Sequence, residues 1–188
     1  MASYYYLMAQ LPSLYGFSQA PLGFKTFKEL AVRFLTEKDA AVLNKLSLEP
    51  PRTEEKTGSA FLDAWYDFER ALRLALEQAR SSKLKWETAI SYEERIIISG
   101  AFSAMQLART AVAMQNPLEA EKFLDSARFQ AADTIKGSDA FSSEAVFSYA
   151  VKLLLCERAS KFNAERGREE YSRVYTEILA EKNAENYV

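Results

Sequence analysis

The chain has 188 residues, 48% of them hydrophobic and 27% charged, with a formal net charge of −2. This is the make-up of a soluble globular protein long enough to bury a core. It has no histidine and a single cysteine, which excludes histidine acid–base and triad chemistry, histidine-ligated metals, thiolate cages and an internal disulfide. A pI near 5.5 argues against a nucleic-acid binder built on a basic surface.

The chain opens MASYYYLMAQLPSLYGF. Tyr4, Leu7, Met8 and Leu11 share one face of a helix, yet Tyr5, Leu7, Ala9 and Leu11 also alternate against Tyr4, Tyr6, Met8 and Gln10 as a strand would. The helix is favoured because the rest of the chain is helical and no partner strand is in view. Three consecutive tyrosines cannot all face one core, so at least one of Tyr4, Tyr5 and Tyr6 is expected at solvent or at a partner. The segment lacks a basic flank and is interrupted by Pro12, so it reads as part of the fold and not as a cleaved signal. No apolar run reaches the ~18 residues of a membrane span.

Thr26-Phe27-Lys28-Glu29 has capping-box spacing, and Phe27, Leu30, Ala31 and Phe34 continue it as a helical stripe. A second short helix is expected from Thr36 to about Ser47. LEPPRTEEKTGS, residues 48–59, cannot continue a helix and reads as an exposed loop. It is a candidate boundary between an N-terminal lobe, 1–50, and a main helical bundle, 59–188, within one domain. Residues 59–81 have the strongest pattern: Phe61, Trp65, Phe68, Leu72, Ala75 and Ala79, widened by Leu62, Tyr66 and Leu76. Glu69 and Arg73 read as an exposed ion pair on that helix.

SSKLKWET is a short basic connector carrying Trp86. Ser91 and Glu94 have capping-box spacing for a helix running to Gln115, whose alanines suggest close approach to a neighbour. Asn116-Pro117 stops that helix and starts the next, which ends at Gly137. Ser142 or Ser143 starts another, with Val146, Tyr149, Ala150, Leu153 and Leu154 on its apolar face. After a kink or tight turn at 163–167, a last helix over about 168–182 carries Tyr171, Val174, Ile178 and Leu179, and the tail is expected to fray. The expectation is an all-α, irregular bundle of about six or seven helices with no confident strand.

Chemistry is sparse. The adjacent pairs Glu54-Glu55, Glu93-Glu94 and Glu169-Glu170 point ~100° apart on a helix and do not converge on one ion. Phosphate-binding glycine loops and a nucleophile elbow are absent from the sequence. Cys156, in the run VKLLLCE, reads as a core residue. Trp86 with Arg80, Lys83 and Lys85 is the one aromatic–basic cluster. Residue chemistry therefore points to a non-catalytic protein without metal or cofactor that works by interaction. A standalone binding module and an enzyme using carboxylate or tyrosine chemistry are the competing readings.

Four blocks in order carry a resemblance: YYYLMAQLPSL at the start, FLDAWYDFERALRLALEQAR at 61–80, NPLEAEKFLDSARFQAAD at 116–133 and YAVKLLLCERASKFNAERGREEY at 149–171. Together they resemble a family of small bacterial proteins encoded among the subunits of a V-type ATPase. Tyr149, Lys152, Glu157 and Arg158 are also distantly similar to a C-terminal Tyr-x-x-Lys-x-x-Glu type of helix, with Glu157 two residues beyond that spacing. That helix belongs to the all-helical socket protein that joins the rotor shaft of V-type ATPases to the membrane ring, although this chain is about half as long. The resemblance implies an accessory or stalk subunit that couples or assembles the soluble and membrane sectors. Its partners would be other V-type ATPase subunits, with no nucleic acid. It would lie in the cytoplasm, held at the inner face of the membrane through the complex without inserting. Tyr4, Tyr5, Tyr6, Trp86, Lys152, Glu157 and Arg158 are the candidate interaction residues. The local reading of the last three is an ion pair from Glu157 to Lys161 and solvated charge around it.

Overall fold

The computed structural model describes residues 3–15, 20–51, 56–162 and 164–185, with backbone alone at 102, 164–166 and 179–185. Among the described residues all regular structure is helical. The elements are α1 (Tyr5–Gln10), α2 (Phe24–Ala31), α3 (Glu37–Lys45), α4 (Ala60–Leu84), α5 (Tyr92–Gly100), α6 (Phe102–Ala113), α7 (Pro117–Lys136), α8 (Ser143–Ser160) and α9 (Ala164–Glu185). The all-α expectation holds, with nine described helices in place of six or seven.

The opening segment is helical. Leu7 is fully buried and Tyr4 nearly so, while Tyr5 and Tyr6 are exposed, so the tyrosine run divides between core and solvent. Burying Leu7 alone is worth about 2 kcal/mol. Tyr4 is pinned on both sides: its N–H donates to the Phe141 carbonyl at 2.7 Å and its hydroxyl donates to Asp39.

Side-chain caps set several starts as the sequence reads. Thr36, Ser59, Ser91, Asn116 and Ser142 each accept a first-turn N–H, and at Ser91 the reciprocal Glu94 bond completes the capping box. The capping box expected at Thr26 does not form. Helix α2 starts earlier, after Gly23, which has no side chain to cap it. The missing acceptor comes from α8: Glu157 Oε1 accepts the Phe24 N–H at 2.6 Å.

Two other boundaries differ from the sequence reading. The single helix expected from 92 to 115 is broken at Ala101 (φ −105°, ψ 62°), and its halves bend by 95°. Gly100 just before the break weakens that turn of helix. The last helix begins at Ala164 and runs through Gly167 to Glu185. Asn163, residues 52–55 with the Glu54-Glu55 pair, and residues 186–188 lie outside the described residues.

Apolar side chains gather in two clusters strung along α4. The first takes Phe61, Leu62, Trp65 and Tyr66 from the start of α4, with Leu7, Phe27, Ala31, Leu43, Ala132 and the buried side of α8. It therefore joins both sides of the 48–59 loop. The second takes Leu72, Ala75 and Leu76 from the other half of α4, with Ile98, Ala104, Ala108 and Leu124. Alanines on both α4 and α6 let those two backbones approach, as the composition suggests. Helix α8 is buried almost all round, from Ala145 through Cys156, the pattern of a central helix. Its buried serine, Ser148, donates to the Ala132 carbonyl at 3.0 Å.

Candidate functional site

The α8 candidates face inward. Lys152 Nζ donates to Asp133 on α7 at 2.6 Å. Glu157 caps α2 and makes no ion pair with Lys161 among the described residues. Arg158 donates to Glu121 at 2.6 Å and also to Asp125, both on α7. Tyr149 is buried, and its hydroxyl donates to the Pro12 carbonyl at 3.0 Å. These four residues bind α8 to its neighbours and to the N-terminal segment.

Arg158 leads into a buried ionic cluster that the sequence reading does not contain. Glu69, on the apolar face of α4, is 1% exposed. It receives Arg128 of α7 at 3.0 and 3.2 Å and Arg73 at 3.0 Å, so the exposed i,i+4 pair expected there is anchored on a buried carboxylate. Arg128 also donates to Asp125 at 3.0 Å. Inside, three carboxylates (Glu69, Glu121, Asp125) meet three guanidinium groups (Arg73, Arg128, Arg158), and at the rim the exposed Glu49 also pairs with Arg73 at 3.7 Å. A signal was available: Glu69 lies in the middle of the stripe Phe61, Trp65, Phe68, Leu72.

Burial sets the electrostatics. It pushes the Asp125 carboxyl above its usual range despite the pull of Arg158 and Arg128. At Arg128 burial acts downward, but Glu69, Asp125 and Glu121 together raise it, so the cation persists. Burial also raises the Cys156 thiol, helped by Asp125, which leaves a protonated, buried sulfur. Among the described residues no group of three or more carboxylate or thiol side chains is placed to hold a metal ion. What this cluster does chemically is hold α4, α7 and α8 in register.

The remaining candidates separate. Tyr4 is a buried pin and offers no surface for docking. Tyr5 packs edge-on against Phe141, ring centroids 4.9 Å apart, and Tyr6 stands out in solvent. Trp86 is 59% exposed just after Lys85, whose φ of 56° ends α4 in the left-handed conformation. Lys83 is turned away to tie α4 to α6, donating to the Val112 carbonyl at 2.6 Å.

Helix α9 differs from the other long helices. Every side chain described from Arg168 to Ile178 is exposed. Tyr171, Val174, Tyr175 and Ile178 follow the i, i+3, i+4, i+7 spacing of one helical face, with the two tyrosine rings stacked at 6.1 Å. Arg173 bridges Glu170 and Glu177 beside that stripe. No single described helix is long and apolar enough to cross a membrane. No family model matches the chain, and no curated protein or solved structure is significantly similar to it.

Proposed function

We propose that this protein is a non-catalytic accessory or stalk subunit of a V-type ATPase, assembling or coupling its soluble and membrane sectors through helix–helix contact. The observation that carries the interaction part is α9, a helix whose apolar stripe is left open to water. A 22-residue helix with such a stripe gains its stability from packing against something. The ionic cluster makes α4, α7 and α8 a firm base for a docking helix. The choice of partner rests on the four ordered sequence blocks that resemble the ATPase-linked family. In this reading the protein sits at the cytoplasmic face of the membrane, held there by the other subunits.

Copurification from native membranes in mild detergent and low salt tests the proposal. The ATPase A and B subunits are expected to come down with the tagged full chain and to be lost with the V174E/I178E variant. If neither of them is recovered with the wild-type chain, the ATPase reading fails. The open groove between α4 and α6 favours a second reading, a standalone helical adaptor. It predicts recovery of a different protein, released by substitutions in that groove.

A further inference from the structure

Two uncovered features of the molecule match each other. Between α4 and α6 lies an open groove of about 590 Å³, with Ala75, Ala79, Met105 and Val112 as apolar lining and Lys83 and Arg109 as its cations. No acidic residue lines it. Arg109 is the one charged residue of α6, is exposed and has no ion-pair partner among the described residues. The groove thus presents small apolar side chains under an unneutralised positive charge. Helix α9 presents the reverse, four exposed apolar side chains with Glu170 and Glu177 along one flank.

Lengths agree as well. Tyr171 to Ile178 spans roughly 10 Å of helix, and Ala75 to Lys83 roughly 12 Å. Alanine at 75 and 79 leaves room for the larger rings of Tyr171 and Tyr175. The bonds from Arg173 to Glu170 and Glu177 are exposed on both sides, and such pairs are held weakly enough to exchange partners.

We propose that α9 of one copy seats its stripe in the α4–α6 groove of a second copy, and that the exchange is reciprocal. One stripe is small beside the ~800 Å² per partner that stable complexes bury. Closing the pair makes the contact twice, the second time within a complex already formed. The exchange rests on the reading of α9 as a docking helix and names what occupies that helix in the free protein.

Sedimentation equilibrium of the purified full chain over a wide concentration range is the test. The mass is expected to rise with concentration from 21.3 kDa to twice that value. V174E/I178E is expected to hold it at the single-chain mass, with the far-UV circular dichroism of a folded protein. R109E and E170K/E177K are each expected to lose the doubling alone. Mixed one to one they should regain it, because the acidic helix of one then meets the basic groove of the other, and the reverse. A wild-type chain that stays at the single mass, a doubling that survives V174E/I178E, or a mixture that stays single overturns the exchange. The ATPase reading is separable: a monomer that still brings down ATPase subunits sinks only the exchange, and a dimer that brings down none sinks only the ATPase assignment.

Discussion

Glu69 sits between Trp65 and Leu72 on the buried face of α4, where an unpaired carboxylate would be strongly destabilising. Arg128 with two bonds, and Arg73 with one from the outer edge, make it tolerable. Arg128→Met is therefore expected to cost about 3–5 kcal/mol, the range for a buried pair broken on one side. The loss would be read from urea unfolding. The double variant E69L/R128M should recover part of that loss, because it removes the Glu69 charge while Asp125 keeps Arg158 as its partner. Tyr149 carries a pH dependence. Burial pushes its phenol up to about 12 from 10.0, with Cys156 adding to the rise. A folded-state value above the unfolded one means the native state holds the proton longer. The contribution to stability is complete below about pH 10 and is lost as pH rises through about 12. Tyr149→Phe should flatten this alkaline fall and also cost about 1 kcal/mol at neutral pH, through the lost bond to Pro12. Urea melts at several alkaline pH values would check both.

Helix α2 shows how one element depends on another for its boundary. Gly23 leaves its first turn without a local cap, and Glu157 supplies the acceptor from a helix far along the chain. Glu157→Ala is expected to destabilise the protein by about 1 kcal/mol and to speed amide exchange in the first turn of α2. Adding Gly23→Ser should restore part of the loss, since residue 23 has the extended backbone of an N-cap (φ −75°, ψ 149°) and the neighbour an added Cβ would meet, 3.7 Å away, is the Glu157 carboxylate that the first substitution removes. At the C-terminal end of α7, Gly137 holds φ 74° with open space around it. Gly137→Ala is thus a test of backbone strain alone, expected to cost about 1 kcal/mol in thermal or urea unfolding. These local cases explain which helix ends could be read. Caps at Thr36, Ser59, Ser91, Asn116 and Ser142 come from residues beside the turn they serve. The start of α2 and the break at Ala101 depend on what packs nearby.

Across the whole molecule, the ionic cluster and the two apolar clusters account for α1 to α8, and the stripe of α9 belongs to neither. Because that stripe is exposed, V174E/I178E should leave the unfolding free energy within ~0.5 kcal/mol of wild type at concentrations where the wild-type chain is single, while abolishing the associations that depend on α9, which add stability only once the pair forms. A large loss of stability in urea at those low concentrations would mean that the stripe is part of the core and not a docking face.

Local patterns in the chain were enough for the helical class, most of the helix starts and the absence of histidine chemistry, because periodicity, capping and composition are properties of neighbouring residues. They also marked Cys156 and Tyr149 as interior. Which side of each stripe is covered came from the packing of distant segments. The same apolar spacing is buried in α4 and open in α9, since spacing defines a face but not what meets it. Charge followed the same rule: Glu157 and Arg158 look like surface charge in the chain, and only the approach of α2 and α7 turns them into a cap and part of an ionic network.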